Sequence, residues 1–140
     1  MRRRAFTLLE LTLATAIAGL LLALVAPRFV SLRDAAAVRA AMGELGAAFS
    51  AARQEAITRR APVAVVFDTA HGSVELRSGG QTILRRTLKP VYGVSLGANR
   101  DSAVYDPRGL GYGVSNLSLT VRRGSIVDTL TMSRLGRVRW

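Results

Sequence analysis

One stretch near the start limits what this chain can become. Residues Phe6 to Ala26 read FTLLELTLATAIAGLLLALVA, 21 residues with a single charge, Glu10. At about 1.5 Å per residue a helix of that length reaches roughly 31 Å, enough to cross the apolar core of a bilayer. Arg2, Arg3 and Arg4 precede the run. The positive-inside rule keeps that end in the cytoplasm and sends the rest of the chain across. A secretory signal peptide also has a basic start and an apolar stretch. The small-x-small triplet Ala16-Ile17-Ala18 lies in mid-run, however, and leaves too short an apolar segment before it. A plain single-pass anchor fits the length but leaves Glu10 unexplained. A carboxylate at the centre of such a helix costs about 2.5 to 3.5 kcal/mol, and intramembrane charges are functional by default.

Cleavage between Ala5 and Phe6 supplies a reason for Glu10. Phe6 would then carry a new amino group at the mouth of the helix, with Glu10 in the first turns, where the helix dipole favours a negative charge. In apolar surroundings an unpaired ammonium is costly. The Glu10 of one copy pairing with the terminal amine of a neighbour would set register in an otherwise featureless bundle.

The residues Ala5-Phe6-Thr7-Leu8-Leu9-Glu10 resemble the cleavage and methylation signal of type IV prepilins and type II secretion pseudopilins. Gly19 and Pro27 stand where that family has a glycine and a proline. The resemblance implies that a prepilin peptidase removes residues 1–5 as a leader and N-methylates Phe6. The family has glycine before the cut, and this chain has Ala5.

Pro27 has no N–H to give the Ala23 carbonyl, so it is expected to kink or end the helix. Helical periodicity resumes directly: Val38, Met42, Leu45, Phe49, Ala52 and Ala56 fall on one face, with Arg39, Glu44, Arg53 and Glu55 off it. One long kinked helix to about Arg60 follows, stopped by Pro62. Residues 6–26 form its transmembrane half and 27–60 its amphipathic half. Residues 61–140 would form a periplasmic β-rich domain.

Beyond Pro62 the pattern is β. Val63–Phe67, Ser73–Arg77 and Thr82–Leu88 are expected strands, separated by turns at Thr69–Gly72 and Ser78–Gln81. Val91–Leu96 is a further candidate, then Ala103–Tyr105, Leu117–Val121, Ile126–Met132 and a closing piece at Val138 to Trp140. Asp106-Pro107-Arg108-Gly109 and Arg123-Gly124 are turns, and Asn99–Ser102 and Gly109–Gly113 read as mobile connections. The expectation is α+β: a long kinked N-terminal helix packed on antiparallel β-sheet of six or seven strands, a pilin-like fold.

Ala52–Arg60 followed by Val63 resembles the helix end and first strand of the GspH/FimT branch of pseudopilins. Asp106-Pro107-Arg108-Gly109 and Gly136-Arg137-Val138-Arg139 resemble later landmarks of that branch. The resemblance implies a minor pseudopilin of a type II secretion pseudopilus, held by the inner membrane among other pseudopilins or pilins. In FimT-like members a Gly-Arg-x-Arg ending is associated with binding DNA during natural transformation, which makes Arg137 and Arg139 candidate DNA contacts under that alternative. On a strand the two would share a face, Trp140 would offer a stacking surface, and Arg122, Arg123 and Arg134 would widen the basic patch.

The formal net charge of +11 rests almost wholly on arginine, with Lys89 the one lysine; without the leader it falls to about +8. A solvated basic surface and a polyanion partner, nucleic acid or anionic lipid, both fit such a balance. The chain has no cysteine, which excludes disulfides, thiolate metal sites and a cysteine nucleophile. His71 sits in an expected turn, and the carboxylates Asp68, Asp101, Asp106 and Asp128 are scattered singly. No nucleophile–base set or metal-ligand spacing emerges, so neither catalysis nor a cofactor is expected.

Overall fold

The computed structural model describes residues 7–112 and 117–140. Ala5 and Phe6, the expected processing site, lie outside the described residues, as does Gly113. The chain divides into two compact units, one reaching Arg33 and the other Asp34–Trp140. Helix α1 (Leu8–Arg59) supplies the described part of the first and the opening segment of the second.

Thr7 starts α1. Its Oγ1 accepts a hydrogen bond from the Glu10 N–H at 3.2 Å, and the spacing Thr-x-x-Glu is that of a capping box. Glu10 therefore sits at the third helical position for a local reason, independent of any partner. Two hydroxyls in the apolar run are turned inward on the backbone: Thr12 donates to the Leu9 carbonyl at 2.9 Å and Thr15 to the Leu11 carbonyl at 3.0 Å. Both thus hide their polarity from an apolar surrounding. Helix α1 passes Pro27 without ending, although Pro27 can donate nothing to Ala23.

In the second unit the helix becomes one-sided. All six residues of the expected stripe are buried, joined by Ala41, Gly46 and Ala48. The helix stops at Arg59, where Arg60 takes a positive φ of 50° before Pro62.

Nine strands follow among the described residues, in two antiparallel sheets rather than one. The five-stranded sheet has β1 (Val63–Asp68) at its centre. On one side lie β2 (Ser73–Ser78) and then β3 (Gln81–Thr87); on the other lie β5 (Ser102–Tyr105) and then β6 (Gly111–Tyr112). The four-stranded sheet runs β4 (Ser95–Ala98), β7 (Leu117–Arg123), β8 (Ile126–Met132), β9 (Val138–Arg139). The strand expected at Val91–Leu96 is a short helix α2 (Lys89–Tyr92) followed by β4. Pro90 fits the first turn of a helix, and Gly93 ends it at φ 64°, where a residue with a side chain would be strained.

Alternation decides which side of each sheet is dry. Val63, Val65 and Phe67 are buried while Ala64, Val66 and Asp68 are not. Their partners across the ladder, Leu76, Val74 and Ala103, are buried with them. In the second sheet Leu117 faces Met132, Leu119 faces Leu130, and Leu96 faces Val121, all buried. The α1 stripe completes one core with both sets; the Phe49 and Phe67 rings meet at 6.0 Å and 37°. Each valine, leucine, methionine or phenylalanine side chain so taken from water contributes about 1.5 to 3 kcal/mol.

Polar clasps fasten the periphery. Arg123 donates through Nε to Asp34 Oδ1 at 2.8 Å and through Nη1 to the Tyr92 carbonyl, which ties α1, α2 and β7 together. Glu75, buried on β2, is held by Arg77 and by Arg85 across the strand pair. Arg77 first, then Arg85, keep its carboxyl below the ordinary range despite its burial. Arg86 reaches Glu44 of α1 at 3.5 Å. On β8, Asp128 Oδ1 accepts the Thr129 N–H at 2.8 Å.

Candidate functional site

The first candidate is the exposed part of α1. Every described residue from Thr7 to Arg33 is exposed within this chain, Leu8, Leu20, Leu22, Phe29 and Leu32 among them. A mean hydropathy of 2.3 over its best 18 residues makes α1 long and apolar enough to cross a membrane. The apolar exposure continues past Ala26 through Phe29, Val30 and Leu32. Glu10 lies in the first turn with its side chain exposed, so its carboxylate is open to a partner outside the chain. The capping role of Thr7 was legible in the sequence from the Thr-x-x-Glu spacing.

The second candidate is the segment Gly136–Trp140. Tyr105, fully buried on β5, donates its hydroxyl to the Gly136 carbonyl at 3.1 Å. Burial pushes the Tyr105 phenol up to about 12. Gly136 takes φ 76°, and a Cβ there would stand 2.8 Å from Tyr105 Cε1. The loop before β9 is closed by Ser133: its N–H donates to the Arg137 carbonyl at 2.9 Å and its Oγ accepts the Arg137 N–H at 3.2 Å. These bonds fix where Arg137 and Arg139 emerge.

Both arginines are exposed, and among the described residues neither has an ion-pair partner. β9 begins only at Val138, so strand alternation places Arg139 but not Arg137. The two nonetheless line one groove of about 480 Å³ with Ser118, Thr131, Ser133 and the exposed Leu135. Arg139 pairs with Thr131, which pairs with Ser118, so these three share a face of the sheet, while the buried Leu117 and Met132 also border the groove.

Of the arginines expected to widen the patch, Arg134 is exposed in the turn between the groove residues Ser133 and Leu135, whereas Arg123 is engaged elsewhere. Arg123 is spent on Asp34 and the Tyr92 carbonyl and is only 22% exposed along its side chain. Arg122 stands four residues along β7 from Ser118, about 13 Å at the strand rise. Trp140 lies beside Arg137 but against the helix. Its ring lies over Gly46 of α1, where an added Cβ would meet Trp140 Cη2 at 2.5 Å.

His71 stabilises its turn: its N–H donates to Asp68 Oδ1 at 2.9 Å and its Nδ1 lies 2.7 Å from Asp68 Oδ2. The first of these bonds leads in holding the Asp68 carboxyl below its ordinary range. Asp106 accepts the Arg108 and Leu110 N–H groups, each at 2.9 Å, and so builds the Asp-Pro-Arg-Gly turn. Among the described residues no three His, Cys, Asp or Glu side chains gather as a metal site.

A family model described as type II transport protein GspH matches residues 41–136. That span runs from the buried face of α1 to Gly136; Glu10, Arg137 and Arg139 fall outside it. Among solved structures the chain is similar to the type IV minor pilin FimU of Pseudomonas aeruginosa (strain PAO1) in two crystal forms. For the P21 form the TM-score is 0.63 at 13% identity, covering 73% of this chain and 86% of that one. For the P65 form it is 0.59 at 13% identity, covering 72% and 90%. At such identity the likeness establishes the fold: a long N-terminal helix packed on antiparallel sheets, as in pilins. No curated protein matches the sequence.

Proposed function

Because this chain belongs to the GspH family of pilin-like proteins, we propose that it is a minor pseudopilin of a type II secretion system, supporting export of folded proteins across the outer membrane. The observation that carries this reading is α1 itself. An apolar segment exposed on every side, with one carboxylate in its first turn, is built to be covered by lipid before assembly and by neighbouring helices after it. In this account the prepilin peptidase cuts between Ala5 and Phe6 and methylates Phe6. The arginines before the run hold that end in the cytoplasm, the β-rich domain lies in the periplasm, and Glu10 meets the terminal amine of an adjacent subunit. Pro27 shapes the helix where it leaves the bilayer. The role is structural, and no step of it calls for a catalytic group.

The test is a Glu10→Val variant in the native host. Membrane insertion should persist, because the helix only becomes more apolar, while crosslinking to neighbouring subunits and export of secreted proteins should fall. Unchanged crosslinking would remove the pairing role from Glu10. Unchanged export on deleting the whole gene would remove the secretion assignment.

A second reading has one observation in its favour: Arg137 and Arg139 share an exposed groove without carboxylate partners. Under it the chain is a FimT-like minor type IV pilin that takes up DNA. Micromolar binding of duplex DNA at physiological salt, lost in an Arg137→Gln, Arg139→Gln double variant that still folds, would favour this reading over secretion. Each lost phosphate contact should also flatten the salt dependence by about one unit of slope.

A further inference from the structure

Arg137 borders a second cavity, distinct from the groove it shares with Arg139. This cavity, of about 280 Å³, lies between α1 and the segment after Gly136. Phe49, Val138 and Trp140 give it apolar walls, Ser50 and Tyr105 contribute to its lining, and Arg53 enters from α1. Two arginines from distant parts of the chain thus line one small space of mixed polar and apolar character. Among the described residues neither has an ion-pair partner.

Most of the chain's side-chain carboxylates are engaged elsewhere. Asp34, Glu44, Glu55 and Glu75 are each held by another arginine. Asp68 is bound by His71, and Asp106 and Asp128 accept backbone N–H groups. Outside the apolar run only Asp101, exposed between β4 and β5, is unengaged among the described residues. Guanidinium forks favour planar carboxylates, and such charge-assisted bonds are stronger than bonds between neutral groups. The apolar walls suit the methylene stem of a glutamate, and the indole can cover it. A nucleic acid duplex is too wide to enter.

We propose that this cavity is a docking socket for an acidic side chain, a glutamate or aspartate presented by a segment of another protein, gripped by Arg53 and Arg137 and covered by Trp140. The socket does not depend on which filament system the chain serves, and it separates Arg137 from Arg139 in function.

Trp140 is the single tryptophan of the chain, so its emission reports on the socket directly. The full-length protein in a neutral detergent would be titrated with a short acetylated peptide carrying one glutamate, and with the glutamine twin of that peptide. The expected result is a saturable change in Trp140 emission, with at least tenfold weaker binding for the glutamine peptide. Arg53→Gln and Arg137→Gln should each weaken the glutamate peptide at least tenfold, while Arg139→Gln, which lines only the neighbouring groove, should stay within twofold. Arg53→Lys, keeping the charge but not the fork, should give an intermediate loss, and melting temperatures of all variants would confirm that they fold. An equal response to inorganic phosphate would overturn the proposal in favour of a free-anion site. Displacement of the peptide by a short DNA duplex, dependent on Arg139, would overturn it in favour of nucleic acid. Self-association abolished by Asp101→Asn would show that the occupant is a second copy. No response to the glutamate peptide would end it.

Discussion

Gly136 opens the Gly-Arg-x-Arg segment, and replacing it with alanine tests whether the segment is held as described. Two costs add. Gly136 sits at φ 76°, where an alanine loses about 1 kcal/mol or somewhat more relative to glycine. The new Cβ would also lie 2.8 Å from Tyr105 Cε1 and 3.0 Å from the Gly111 nitrogen. Tyr105 is 1% exposed and Gly111 is in β6, so neither can yield cheaply; overpacking of this kind costs about 1 to 3 kcal/mol. The sum is about 2 to 4 kcal/mol. For a domain of about a hundred residues this lowers the melting temperature by roughly 10 to 20 °C. Circular dichroism melts of the detergent-solubilised protein would measure it. Truncating the ring in Tyr105→Val should make the second change, Gly136→Ala, markedly less costly than it is alone. A Gly136→Ala melt within about 3 °C of the parent, or full additivity with Tyr105→Val, would refute the account.

Gly46→Ala provides a contrast. Its Cβ also collides, at 2.5 Å, but with the rim of Trp140, which is 62% exposed and free to swing aside. Alanine also favours the helix by up to about 1 kcal/mol, so the melt should move by less than about 5 °C while Trp140 emission shifts to the red. Acid should weaken the fold through Glu75. Its folded value is depressed by Arg77 and Arg85, so the stability it brings is complete above its ordinary value of 4.5 and is lost as pH falls below that. Glu75→Gln should flatten the acid limb of a melting-temperature profile. Mass spectrometry of protein from cells containing the prepilin peptidase should find a chain that starts at methylated Phe6; an intact Met1 or a start beyond Ala18 would contradict the assigned cleavage.

Local periodicity made much of this molecule readable. The stripe Val38, Met42, Leu45, Phe49, Ala52, Ala56 is buried as expected because helix period and burial coincide in one segment. The hairpins β1–β2, β2–β3 and β7–β8 were visible because glycines at 72, 79, 80 and 124 take the positive φ their turns need. The misread stretch Val91–Leu96 has β-like composition, but Pro90 and Gly93 impose a helical turn first. β6 and β9 are two residues long, too short for alternation to register. The division into two sheets depends on β4 joining β7 rather than its sequence neighbour, and no local pattern encodes that. Arg123 looked like a turn residue; its partner Asp34 lies 89 positions away, so a local reading offered it as part of a surface patch. The cavity lined by Arg53 and Arg137 was equally hidden, since only the fold brings α1 and the segment after Gly136 together.

The register of the sheets also separates local pairings from distant ones. β1–β2, β2–β3 and β7–β8 are joined by tight turns, and hairpins of that kind close in about 1 to 10 μs. The pairings β1–β5 and β4–β7 join strands separated by other elements of the fold, and longer loops lose more entropy on closing. A hairpin alone is marginal in water, so the local pairs depend on these long closures and on the α1 stripe for their stability. The buried α1 residues from Val38 to Ala56 pack in one core with both sheets, so the helix couples the local hairpins to these distant pairings.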